Sequence, residues 1–319
     1  MTPGASVGAS VDLGSNSVHL LVAAIEGHQL RPLVDESVFL GLGAAVAERG
    51  YLGRSSRDAL RSALVRYAEI ARDHRASEVS FIGTEPLRRA ADAPAIVHEI
   101  VAAAGAPMHV VSHEEEAYLT IIGVTEGLPV TQETLVVDIG GGSSEFCIVD
   151  ATHRPRAAGL RLGSARLTDR FVANDPPLAS EIDAMRVAAL DLVQGAPGAA
   201  PAAIVAVGGT ASNLLKVLPG PDRTLRRANL QDAIAVLQTE TAAVASERHG
   251  INPIRARILP AGAVILDAVL ERYGVGEVRV SDAGVREGTI LAVAHAGRTW
   301  RDRLPDLAHG WRADATTGA

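Results

Sequence analysis

The 319-residue chain is 47% hydrophobic and carries a formal charge of −7, which supplies a packed core for two domains and argues against general nucleic-acid binding or a broad basic track for a polyanion. No stretch reaches the roughly 18 uninterrupted apolar residues of a membrane span, and residues 1–8 have neither a basic region nor a long apolar run, so neither a span nor a secretory leader is expected. The single cysteine, Cys147, excludes an intramolecular disulfide and fits a reducing, cytoplasmic setting.

Residues 7–12, 17–25 and 30–40 read as three consecutive strands, the first two joined by a turn at 14–16. That joint, Val11-Asp-Leu-Gly-Ser-Asn-Ser17, brings Asp12 to a strand end and follows it with a glycine and hydroxyls. Residues 41–53 read as a glycine-containing loop. Ser55 or Ser56 is then expected to cap a helix with Leu60, Leu64, Tyr67 and Ile70 at helical spacing. A short strand at 79–83 ends in Thr84, with Arg88 just beyond. A helix at 93–104 and a strand at 108–111 complete an alternating α/β half. Ser112-His-Glu-Glu115 has the pattern of a capping box, and Glu114 and Glu116 share a helix start where the dipole favours negative charge. Gly127-Leu-Pro129 ends that helix, which divides the chain into domains at 1–126 and 127–319.

The second half opens on Leu135-Val-Val-Asp-Ile-Gly-Gly-Gly-Ser-Ser-Glu-Phe146, a strand, an aspartate, three glycines, two hydroxyls and a second carboxylate entering another strand. Strand at 156–160, helix at 162–171, turn at 174–177, helix at 179–193 and strand at 203–207 follow. Gly208-Gly-Thr-Ala-Ser-Asn213 is a glycine-rich turn opening a helix, suited to a phosphate edge, although no Gly-x₄-Gly-Lys-Ser/Thr occurs in the chain. Residues 229–248 read as one helix, 259–266 as the lead of an apolar helix, and 277–281 as the last strand. Asp282-Ala-Gly-Val-Arg-Glu-Gly288 introduces a final helix expected near the hinge, and Trp300 onward reads as a frayed polar tail.

The two Asp-x-Gly turns, at Asp12 and Asp138, look like one unit used twice. Gly140, Gly141 and Gly142 have no Cβ to keep an oxygen-rich anion from bare backbone amides. Carboxylates beside that anion would repel it unless a divalent cation intervened, so the pairing points to phosphate with Mg²⁺ rather than phosphate alone.

In order, Val11 to His19, Thr84 with Arg88, Glu115-Glu-Ala117, Val137 to Glu145, Val207-Gly-Gly-Thr210, Pro260 to Ile265 and Ser281 to Gly288 resemble the exopolyphosphatase / guanosine pentaphosphate phosphohydrolase family (Ppx/GppA). Two departures stand out: Glu85-Pro86 replaces small residues after the threonine, and His113 stands where a small residue is common. Without the appended helical domains of longer members, processive action on long chains is not expected. The resemblance implies an α/β, two-lobed actin-like ATPase (ribonuclease H-like) fold, with duplicated mixed five-stranded sheets flanked by helices and a cleft between lobes.

It further implies Glu116, Asp138 and Glu145 as catalytic carboxylates and Arg88 as a phosphate contact. Gly14, Ser15, Asn16 and Ser17 would grip one phosphate, and Gly140, Gly141, Gly142 and Ser143 its neighbour, with Gly208, Gly209 and Thr210 at the substrate's edge. Asp12, Asp138 and Glu145 would hold Mg²⁺ or Mn²⁺, and a monovalent cation is a further expected cofactor. The expected activity is hydrolysis of terminal phosphoanhydride bonds of inorganic polyphosphate, of short chains in particular, by a cytoplasmic homodimer with no nucleic-acid or membrane partner. Guanosine pentaphosphate hydrolysis, an alarmone sensor without turnover, and a sugar or acetate kinase remain as alternatives.

Overall fold

The computed structural model describes residues 6–219 and 221–311. The chain divides into two compact units, 1–130 with 283–319, and 131–282. The sequence alone placed 127–319 in one domain; by its contacts, the segment from Ala283 onward packs with the first unit instead.

The first unit begins with β1 (Ser6–Leu13), β2 (Ser17–Glu26) and β3 (Gln29–Phe39), followed by α1 (Leu42–Arg49) and α2 (Gly53–Asp73). Then come β4 (Glu78–Gly83), α3 (Glu85–Arg89), α4 (Ala93–Ala104), β5 (Met108–Val110) and α5 (His113–Thr125). Its sheet has the order β3-β2-β1-β4-β5, antiparallel across the first three strands and parallel across the last three. Residues 41–53 are not the loop the sequence suggested. Gly41 and Gly50, both left-handed at φ 61° and 76°, bracket α1, which buries Leu42 and Val46 one turn apart. Neither Ser55 nor Ser56 caps α2, which starts earlier, at Gly53, without a side-chain cap.

The second unit contains β6 (Thr134–Ile139), β7 (Ser144–Val149), β8 (Arg156–Leu160), α6 (Ser164–Phe171), α7 (Ala179–Leu192), β9 (Ala203–Val207) and α8 (Gly208–Val217). It continues with β10 (Thr224–Arg226), α9 (Arg227–Leu237), α10 (Ala242–His249), α11 (Pro253–Tyr273) and β11 (Glu277–Val280). Its sheet order is β8-β7-β6-β9-β11-β10. The first five strands repeat the order and directions of the first unit. The sixth, β10, pairs antiparallel with β11 and was not foreseen. The helix expected over 229–248 is two: α9 ends at Leu237, and Thr241 restarts the chain by accepting the Val244 N–H at 3.4 Å. Cys147 lies buried on β7, with its thiol pushed up to about 12 by burial, an inert core residue.

The chain closes with α12 (Val285–Ala296) and α13 (Leu304–Ala308), which belong to the first unit. There α12 crosses α5 at backbone distance: a Cβ on Gly288 would collide with the Leu119 carbonyl, and one on Gly123 with the Gly284 carbonyl. The other side of α12 covers the sheet, where Ile290 packs on Leu21 and Ala23. Residues 300–311 are ordered rather than a frayed tail, with Trp300, Leu304, Leu307 and Ala308 all buried. The tail's last residues, 312–319, lie outside the described ones.

Candidate active site

In the first unit, Asp12 stands next to last on β1, opposite His19 on β2 and Ile82 on β4. The turn closes when the Gly14 N–H donates to Ser17 O at 3.1 Å. Its carbonyls are tied to the segment leading into α1: Ser15 O accepts from Gly43 (2.7 Å), and Asn16 O from Leu40 (3.0 Å) and Gly41 (2.9 Å). Ser15 Oγ also donates to Glu85 at 3.3 Å. Thr84, beyond β4, donates its hydroxyl to Leu13 O at 2.9 Å and so locks the end of β1.

The start of α5 gathers the charged groups. Ser112 accepts the Glu115 N–H at 3.1 Å, and Glu115 returns a bond from the Ser112 N–H at 2.7 Å, which completes the foreseen capping box. Glu116, in the next position, is buried at 7% exposure. Arg88 reaches it from α3, with Nη1 donating to Glu116 at 2.5 Å and to Val111 O at 3.0 Å. Arg88 Nη2 lies 2.9 Å from His113 Nδ1. A guanidinium can only donate, so this nitrogen of His113 is the acceptor and the proton sits on Nε2. Burial, then the Arg88 charge, lowers the His113 pKa and favours that neutral form. The structure thus brings Arg88 and Glu116 together, and adds His113, which the sequence marked only as an unusual residue.

In the second unit the same construction recurs. Asp138 and Glu145 are directly opposed across β6 and β7, so their side chains share a face. The turn closes with Gly140 N–H donating to Ser143 O at 3.0 Å. Gly140 O accepts from Ser164 (2.9 Å), Gly141 O from the Arg166 amide (3.0 Å), and Gly142 O from Arg166 Nε (2.8 Å). With these carbonyls held by α6, the amides of Gly141, Gly142 and Ser143 donate to no backbone carbonyl among the described residues. A Cβ on Gly163 would run into the Gly141 carbonyl, so α6 approaches this closely only through a glycine.

Gly208 has φ +80°, and a Cβ there would sit 2.5 Å from Asp138 Oδ1. Both conformation and space therefore demand glycine. Thr210 donates its hydroxyl to Ile139 O at 2.8 Å, the counterpart of Thr84 on Leu13. Arg255, on α11, lies against Gly209 where a Cβ would strike its Nη1; burial lowers its pKa. Sequence reasoning missed Arg255, because it sits in an unremarkable helix start more than forty positions from the turn it covers.

The two units therefore share Asp12 with Asp138, the Gly14–Ser17 closure with Gly140–Ser143, and the Thr84 lock with Thr210. They differ at the residue opposite the aspartate, His19 in one and Glu145 in the other. Glu287 accepts from the Gly284 N–H at 2.7 Å, a second N-terminal cap, and Arg286 donates to Asp35 at 2.6 Å, lies 3.5 Å from Glu287 and feels the Asp12 charge. Lys216 donates to Gly250 O at 3.2 Å.

Desolvation raises the Asp138 pKa from 3.8 to about 6, although the side chain at this strand end is only partly buried. A carboxylate pair on one strand face, one member pushed up in this way, is the donor chemistry of a hard divalent cation. Glu116 in the first unit and Glu145 in the second each also offer a carboxylate oxygen suited to a metal, whereas His113 does so only if Arg88 releases its Nδ1.

The Ppx/GppA phosphatase family model matches residues 21–296. The chain is 28% identical to exopolyphosphatase 1 of Mycobacterium tuberculosis over 302 residues, covering 88% of this chain and 86% of that protein. It has the same identity to exopolyphosphatase 1 of Mycobacterium leprae, with 88% and 87% covered. The solved structure of the Aquifex aeolicus Ppx/GppA family member superposes with a TM-score of 0.80 at 25% identity, covering 92% of this chain and 99% of that one. An exopolyphosphatase structure from Cytophaga hutchinsonii gives 0.80 at 22% identity over 93% and 98%. The duplicated, mixed-sheet arrangement is that of the actin-like ATPase fold. A match running unbroken from β2 to the end of α12 makes this chain a member of the Ppx/GppA phosphatase family.

Proposed function

We propose that the protein is an exopolyphosphatase, which removes terminal phosphate from inorganic polyphosphate by attack of water. The observation that carries this reading is the Arg88–Glu116 pair at the start of α5, a buried carboxylate beside a guanidinium, a group whose geometry suits phosphate. The likeness to mycobacterial exopolyphosphatase 1 supports the substrate class.

In this reading the amides of Gly141 and Gly142 and the Ser143 hydroxyl form one phosphoryl cradle, and the Gly14–Ser17 turn forms a second. Backbone donors suit the task, since they neither move nor titrate. Arg88 exchanges one of its protein acceptors for a phosphoryl oxygen, for which the planar guanidinium has matching geometry. Glu116, released from part of that ion pair, accepts a proton from water. The water oxygen bonds to the terminal phosphorus as the bridging P–O bond breaks, and the electron pair leaves with the shortened chain. Asp12, Asp138 and Glu145 are the carboxylates that would hold a divalent cation, which when bound supplies neutralisation of the anhydride's charge.

The test is phosphate release from polyphosphates of several lengths and from guanosine pentaphosphate, each with Mg²⁺ and with EDTA. Release from polyphosphate that EDTA abolishes is expected. Faster release from the pentaphosphate at every chain length would move the assignment to that nucleotide, and binding of either without any release would make the protein a sensor.

A further inference from the structure

The C-terminal segment that follows α12 grips α5 at both of its ends. At the far end, the Trp311 N–H donates to Gly127 O at 2.8 Å, and the Trp311 ring stacks on His295 with centroids 4.5 Å apart. At the near end, Trp300 packs edge-on against His109 at 5.3 Å. Arg301 then clamps Glu115 with two parallel bonds, Nε to Oε1 at 2.5 Å and Nη2 to Oε2 at 2.8 Å, while Nη2 also donates to Val110 O at 2.9 Å. Between these points, Leu304, Leu307 and Ala308 are buried.

Glu115 is thereby held by three donors, two from Arg301 and the Ser112 N–H. A bidentate guanidinium–carboxylate pair fixes orientation as well as distance. The carboxylate so fixed belongs to the residue immediately before Glu116, in the same first helical turn. Arg301 and Arg88 therefore pin adjacent residues from two separate segments, and the second pin is redundant if Glu115 serves only to cap the helix, since the Ser112 exchange already does that.

We propose that Arg301 is a positioning residue for Glu116, acting through Glu115 to set where the first turn of α5 places the catalytic carboxylate. The proposal rests on the assignment of Glu116 as the base. A displacement of the base by about 1 Å is worth about 100-fold in rate, and loss of one of two pins moves it by a fraction of that. Arg301→Ala is therefore expected to lower kcat about 5- to 20-fold with KM changed less than about twofold. Arg301→Lys, which keeps the charge without the paired geometry, falls between.

The experiment is a double-mutant cycle on the full chain, with wild type, Arg301→Ala, Glu116→Gln and the double variant assayed on polyphosphate, and folding of each checked by thermal denaturation. The expected result is that Arg301→Ala slows the wild type but leaves the residual turnover of Glu116→Gln unchanged. An equal slowing in both backgrounds means a general structural effect and overturns the proposal, as does near-native kcat in Arg301→Ala while Glu116→Gln is inactive. Near-native turnover in Glu116→Gln removes the base assignment itself and the proposal with it. Should Arg301→Ala not fold, the same cycle is run with Arg301→Lys.

Discussion

Glu116 is buried beside a guanidinium: burial removes water from around it, while Arg88 Nη1 donates to it at 2.5 Å. If Glu116 is the base, as proposed, it must be ionised before the reaction and able to take a proton during it. Glu116→Gln keeps size and hydrogen bonding but removes the base, and a loss of about 10²- to 10⁴-fold in kcat is expected with the melting temperature nearly preserved. Arg88→Ala should instead raise KM, as read from initial rates against polyphosphate concentration. Asp138 makes a different prediction. Its folded pKa is raised from 3.8 to about 6, so the native state binds the extra proton. The associated stability is full below the unfolded value and is lost as pH rises through 6. At pH 7 the metal-free protein carries that partly desolvated charge, and Asp138→Asn should stabilise it by about 1–2 kcal/mol while abolishing activity. Urea denaturation in EDTA measures the first effect. A less stable Asp138→Asn protein would mean that the carboxylate has a partner worth more than its desolvation.

At the scale of elements, the turns are where the sequence was most legible, because their requirements are local. An aspartate, a glycine and hydroxyls within seven positions encode a strand end and a tight return. The register then follows from alternation, which puts Asp138 opposite Glu145. Longer-range effects were hidden. Residues 41–53 read as a loop because glycines flank them, yet Leu42 and Val46 already stood one helical turn apart. Ser55 and Ser56 matched a cap statistically, but α2 begins earlier and needs none. Thr241 carried a real cap signal inside what read as one continuous helix, where the apolar pattern outvoted it. The Arg301 clamp could not be read at all, since nothing in residues 297–311 announces a partner nearly two hundred positions away. Gly208 is the most exposed point of the turn architecture. Gly208→Ala would have to hold φ +80° with a methyl 2.5 Å from Asp138 Oδ1. A destabilisation of about 1–3 kcal/mol is expected from the conformation alone, with loss of activity as Asp138 is pushed aside. Denaturant melts and phosphate release on the same preparation check both.

For the whole molecule, duplication explains why one chain carries two versions of the same turn with different chemistry. The sheets share order and direction, both Asp-x-Gly bends close with the same glycine-to-serine bond, and both are locked by a threonine. What diverged is the residue opposite the aspartate and the start of the helix after the fifth strand. That helix carries Glu116 beside its cap in the first copy and Gly288 in the second, where the helices must touch. Because α12 lies against α5, the stability of the first unit is tied to the groups that hold the start of α5, and this has a pH signature. His109 faces Arg301, Glu115 and the edge of Trp300; His113 faces Arg88, Glu116 and Glu85. Both pKa values are lowered, by burial first and by the neighbouring arginine second. The unfolded chain therefore takes up protons at these histidines more readily than the folded one. The stability they contribute is complete above the ordinary value of 6.5 and is lost as pH falls below it toward the lowered folded values. Because Asp138 acts in the opposite sense over the same range, the test is made in an Asp138→Asn background: midpoints there should drop between pH 7.5 and 5.5, and the drop should shrink in His109→Gln, whose amide does not titrate. A midpoint that instead rises on acidification would show that the neighbouring carboxylates, Glu115 and Glu116, govern these histidines and that the arginines do not.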